Sequence, residues 1–119
     1  MPRRSVPDPL ALAVGQRIRE LREEAGLTIE KLAFESDVGS KGHLSSLERG
    51  LVMPTVRTLQ ALAERLGVLA LDLVNFPANG ERQRLVDLTR RLSRGTTRKL
   101  LRELAGAGLS GARDGGERR

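Results

Sequence analysis

Lys41, Ser45, Ser46 and Arg49 lie within nine residues of one another, and on a helix their donors would project outward together. An ammonium, two hydroxyls and a guanidinium are groups that hydrogen-bond to base edges and phosphates, not groups that break bonds. Material for catalysis is scarce by contrast. His43 is the single histidine and cysteine is absent, so a His/Cys metal cluster, a thiolate nucleophile and a disulfide are all excluded. His43 itself reads as a phosphate contact or a partly packed surface residue. Paired acids such as Glu23 and Glu24 sit on a charged helical stretch, outside any metal spacing or nucleotide loop. The expectation is a protein that is not an enzyme and needs neither metal nor cofactor.

The elements that must position these residues are helices. Apolar residues recur at helical spacing throughout, and no stretch alternates cleanly enough to be a strand, which predicts an all-α fold. Asp8-Pro9 supplies an N-cap and a first-turn proline for a helix over about 9–25, with Leu10, Val14, Ile18 and Leu21 on one face and Gly26 as its stop. Thr28 caps a short second helix that carries Ile29, Leu32 and Ala33 and ends near Ser36. Ser40 caps a third, with Leu44 and Leu47 inward and Gly50 at its end. Thr55 caps a fourth, in which Leu59, Leu62, Ala63 and Leu66 precede Gly67, and a short fifth covers about Ala70 to Val74. Two short helices with a tight turn between them are the parts that fit a helix into a DNA major groove. Ala33 permits the third helix to approach closely, and Val38, Leu44 and Leu47 anchor it from beneath.

The blocks GLTIEKLA, SKGHLSSLERG and PTVRTLQALAERLGV, in that order, resemble the Cro/repressor-type (XRE) helix-turn-helix family over about Val14 to Val74. The resemblance implies a five-helix bundle that binds operator DNA, usually as a dimer. It puts Lys41, Gly42, Ser45 and Ser46 where the family contacts base edges and Thr28 where the second helix approaches phosphate. Arg22 and Glu48 match a family ion pair that joins the first helix to the end of the recognition helix. Ser40, His43 and Arg49 join Thr28, Lys41, Gly42, Ser45 and Ser46 in the candidate DNA-binding surface, and Arg57, Arg90, Arg91, Arg94 and Arg98 are candidate auxiliary phosphate contacts. The sequence departs from the family pattern at Ile29, where glutamine is common, and at Asp37, where glycine is usual. The stretch Asp37 to Gly39 is also one residue longer than the standard turn. Either the turn is extended, or the second helix runs one residue further and Gly39 takes the left-handed position. Gly42 offers no side chain for readout and lowers helix propensity by roughly 1 kcal/mol relative to alanine, which a close backbone approach to DNA would explain.

Length and charge set the wider organisation. A chain of 119 residues, 39% hydrophobic and 30% charged, suits one core with a small appendage. The net charge of +6 favours a polyanionic partner. Its distribution is uneven: residues 10–76 hold eight basic and nine acidic side chains, whereas residues 77–119 hold eleven basic and five acidic. With Phe34 and Phe76 as the only aromatics, base-stacking platforms lack material, and both rings are expected to pack beside the core. No apolar run approaches the ~20 residues a membrane-crossing helix requires, and the Arg-rich opening does not lead into a signal core. A cytoplasmic protein with no membrane partner is expected.

The domain reading is a flexible arm over 1–8, a helix-turn-helix domain over 9–76, a basic amphipathic hairpin over 77–105 and a disordered tail over 106–119. In the hairpin, Leu85, Leu88 and Leu92 face one way on the first helix and Leu100, Leu101 and Leu104 on the second, joined through Ser93-Arg94-Gly95. Those leucines can cover the body, a second copy or another protein. The resulting function is a sequence-specific, double-stranded-DNA-binding transcriptional regulator, a repressor-like homodimer. The alternative is a protein-interaction or antitoxin-like adaptor that keeps the scaffold with little specific DNA binding.

Overall fold

A computed structural model describes residues 6–111, with side chains through residue 107. The order is α1 (Pro9–Glu24), α2 (Ile29–Ser36), α3 (Lys41–Glu48), α4 (Val56–Leu66), α5 (Ala70–Leu73), a 3-10 turn (Pro77–Asn79), α6 (Glu81–Thr89) and α7 (Arg94–Gly111). No strand occurs among the described residues. The expected caps are in place, and each satisfies amide donors that the first turn of a helix leaves without a partner. The Asp8 carboxylate accepts from the Leu10 and Ala11 amides, Thr28 from Lys31, Ser40 from His43 and Thr55 from Thr58. Left-handed glycines follow three of the helices, at Gly26, Gly50 and Gly67.

Five helices enclose one core. Val14, Ile18 and Leu21 of α1 meet Leu32 and Ala33 of α2, Leu44 and Leu47 of α3, Leu59 and Leu62 of α4 and Leu73 of α5. α1 packs on α3 and α5, and α2 on α3 and α4, so α3 is held from two sides.

The turn before α3 is the extended one. α2 stops at Ser36, and Asp37 takes a left-handed conformation (φ 56°, ψ 40°) two residues ahead of Gly39, which is also at positive φ (107°). An aspartate tolerates this region better than most residues, though less readily than glycine.

Several placements differ from expectation. Leu10 is exposed although it lies on the same sequence stripe as Val14, because the buried arc of α1 begins at Ala11, about 100° further round the helix. Phe34 is not packed: it is 85% exposed. Leu32, Ala33 and Ser36 occupy the inner arc of α2, and two residues past Leu32 the helix has turned to the far side. Phe76 does pack against the core.

The chain divides into two compact units, the first ending at Asp87 and the second beginning at Leu88. The first therefore reaches beyond the expected boundary at 77. It retains most of α6 because the Asn75 side chain donates to the Gln83 carbonyl (2.8 Å) and Asp87 pairs with the buried Arg17. Leu92 falls after α6, and Arg94 and Gly95 belong to the first turn of α7, which Ser93 caps. Leu85, Leu88, Leu101 and Leu104 are all exposed. α7 continues through Gly111, past the point at Gly106 where the tail was expected to begin. Residues 112–119, and residues 1–5 of the expected arm, lie outside the described residues.

Candidate nucleic-acid interface

α3 is built so that its two sides do different work. Leu44, Leu47 and Glu48 turn inward and are buried, whereas Lys41, Gly42, His43 and Arg49 are exposed and Ser45 is half-buried. At 100° per residue, Gly42, Ser45 and Arg49 form one outward stripe, with Gly42 roughly opposite the buried direction. A shallow groove runs along this face, lined by Ser40, Gly42, His43, Ser45, Ser46, Arg49 and Val52.

Ser46 departs from expectation. It lines the groove but is only 3% exposed, because the chain after α3 doubles back and the Leu51 amide donates to the Ser46 carbonyl (3.0 Å). It lies among the buried residues of α3 and not, as expected, on the outward face. Arg49 curls over the end of its own helix, where Nε donates to the Ser45 carbonyl at 3.4 Å. Ser40 spends an oxygen lone pair on the His43 amide (3.1 Å), and the His43 ring lies beside Gly39. Thr28 is exposed at the start of α2, and Arg57 is exposed in the first turn of α4. Arg90 and Arg91 occupy the turn after α6, and both take part in interactions within the chain. Arg94 and Arg98 are exposed on α7, in the second unit.

What holds α3 in place is a buried charged bracket. Arg22 Nε donates to Glu48 Oε2 (2.7 Å) and Nη2 to Oε1 (3.1 Å), a two-pronged pair. The remaining prong, Nη1, donates to the Leu27 carbonyl (2.8 Å) in the connection from α1 to α2. One guanidinium thus ties α1, the approach to α2 and the end of α3. Arg22 and Glu48 are 8% and 7% exposed. The hydrogen bonds that Arg22 donates to Glu48 raise its pKa, although burial pulls it down. A raised pKa in a base preserves its charge, so this contribution persists through the neutral range and fades only at extreme alkaline pH.

Two glycines set the position of α3 in a way the sequence reading missed: Gly15 was not singled out, and Gly50 was read only as a helix stop. A Cβ on Gly15 would stand 2.3 Å from the Leu47 carbonyl oxygen and 2.6 Å from that of Glu48, so α1 and α3 touch backbone to backbone there. A Cβ on Gly50, already at φ +75°, would meet Leu12 Cα at 2.6 Å. A glycine in the middle of α1, otherwise costly to a helix, was the available signal. Arg17 was a third omission: buried in α1, it donates to the Asp72 carbonyl (3.1 Å) and pairs with Glu20 and Asp87.

Among the described residues, no group of His, Asp and Glu is arranged to hold a metal ion, and no helix is long and apolar enough to cross a membrane.

The chain is similar to known proteins. The family described as Helix-turn-helix matches residues 18–73. Over 61 residues the chain is 49% identical to the uncharacterized HTH-type transcriptional regulator y4dJ of Sinorhizobium fredii, covering 51% of this chain and 78% of that one. It is 42% identical over 59 residues to the HTH-type transcriptional regulator DdrOP3 of Deinococcus deserti, covering 50% of this chain but only 45% of that relative's length. Among solved structures, the SinR protein/SinI protein complex aligns with a TM-score of 0.58 at 28% identity, over 81% of this chain and 98% of that chain. With its capped α2 and α3, and in spite of its longer turn, the chain belongs to the XRE-type helix-turn-helix family of transcriptional regulators.

Proposed function

We propose that this regulator binds specific DNA sequences as a homodimer, with α3 in the major groove. The observation that carries this reading is the outward face of α3, from Ser40 to Arg49, which is exposed along a groove while the Arg22–Glu48 bracket fixes its base. In this arrangement Lys41 and Ser45 read base edges, and Thr28, His43, Arg49 and Arg57 contact phosphates. The free amides at the starts of α2 and α3 add partial positive charge beside them. Arg94 and Arg98 of α7 supply longer-range attraction, which residues 10–76, at a net charge of −1, do not. The exposed Leu88, Leu101 and Leu104 of the second unit give a second copy apolar side chains to cover.

Selection from random double-stranded DNA tests the reading. The expected product is an inverted repeat with half-sites about one helical turn, ~34 Å, apart. Lys41→Ala and Ser45→Ala should each weaken that site by about 1–3 kcal/mol if they remove a base contact. If no sequence is enriched at low salt, the DNA-reading role is wrong. A protein partner at the C-terminal segment is the second reading. The same exposed leucines favour it, and the similar SinR protein was solved in complex with the SinI protein. Size-exclusion chromatography of the purified chain separates the two, because a homodimer forms without any added protein.

A further inference from the structure

Each glycine around α3 except one has a structural reason. Gly15 and Gly50 have neighbouring backbone where a Cβ would be, and Gly39 adopts a positive φ. Gly42 has neither constraint. It is helical, its φ is not positive, and the nearest atom to a built Cβ is Ser40 Oγ at an ordinary 3.7 Å. Alanine would fit the free protein and favour the helix. Gly95 and Gly106 of α7 are similarly open, but Gly42 alone of the three lies in the α3 groove, on the outward stripe with Ser45 and Arg49.

We propose that Gly42 determines specificity: its bare Cα, the most outward point of α3, receives the C5 methyl group of a thymine in the major groove. This rests on the DNA-binding reading above and adds a base to it. A glycine Cα presents only C–H bonds, so it recognises nothing by hydrogen bonding. Of the groups that base pairs display in the major groove, the thymine methyl is the apolar one. A Cβ at position 42 would fill the space the methyl takes, while Lys41 and Ser45 read polar groups on either side.

The test uses the full-length protein, the DNA site it selects, and the same site with deoxyuridine replacing each thymine in turn. Deoxyuridine lacks only the methyl group. For the natural chain, one such replacement per half-site should weaken binding several-fold. Gly42→Ala should keep or raise the Tm yet lose about tenfold in affinity for the thymine site, the size of one mismatched base pair. Deoxyuridine at the same position should then restore binding by Gly42→Ala, because the base has vacated the space of the new Cβ. The proposal is overturned if Gly42→Ala binds the thymine site as well as the natural chain does, or if no deoxyuridine position affects the natural chain. It is also overturned if Gly42→Ala loses affinity equally for selected and random DNA, since that describes an approach to phosphate. A natural chain that selects no sequence overturns both this inference and the DNA-binding reading. One that selects a site but shows none of the methyl effects overturns this inference alone.

Discussion

The two ends of this chain treat leucine and charge in opposite ways. Up to α5 the leucines are mostly inside and the net charge from residue 10 to 76 is −1; from residue 77 onward the net charge is +6, and Leu85, Leu88, Leu101 and Leu104 stand in solvent. A helix whose apolar face stays uncovered gains little from folding alone, since helical stability comes mostly from packing that face. The bundle buries most of its leucines and carries almost no net charge. The C-terminal segment is strongly basic and leaves most of its leucines exposed.

The contrast is sharpest where a single side chain holds the bundle together. Glu48→Ala would leave Arg22 buried without its carboxylate and should cost about 3–5 kcal/mol of stability, measured by urea unfolding. Arg98→Ala on α7, an exposed cation, should change stability by no more than about 0.5 kcal/mol. Equal effects at the two positions would dissolve the contrast. Gly15→Ala comes next. Its methyl group would collide with the Leu47 and Glu48 carbonyls, and the strain should cost about 1–3 kcal/mol, with loss of DNA affinity as α3 shifts. Asp37→Gly should go the other way, gaining about 0.5–1 kcal/mol by relieving the left-handed aspartate, and calorimetry would register the rise in Tm. The smallest effect on folding is expected from ending the chain after Asp87. This leaves the first compact unit intact and should make DNA binding less salt-dependent, the slope falling by about 0.9 for each phosphate that α7 no longer neutralises. An unchanged slope would assign the cations of α7 to solvent or to another partner.

Much of the bundle is legible in the sequence because its signals are local. Asp8, Thr28, Ser40 and Thr55 announce helix starts, Gly26, Gly50 and Gly67 announce ends, and all seven do so in the structure. The Arg22–Glu48 bracket came from family resemblance, since no local rule pairs residues on different helices. Phe34 and Ser46 show where pattern reading fails. Residue type argues that a phenylalanine is buried and a serine exposed, yet each side chain's fate depends on which arc of its helix faces the core and on what folds over it. For Ser46 the cover is the chain that returns after α3, and α2 simply turns Phe34 away.

The sequence by itself determined the all-helical architecture, the order of α1 to α5, the caps of α1 to α4 and the uneven charge, because caps, periodicity and composition act over a few residues. Only the tertiary structure decided that the turn at Asp37 is extended and that most of α6 belongs with the bundle through Arg17 and Asn75. It also showed that Gly15 and Gly50 are required by close contact whereas Gly42 is not. These depend on distances between segments far apart in the chain, and whether a Cβ has room is a property of what lies across from it, not of its neighbours in sequence.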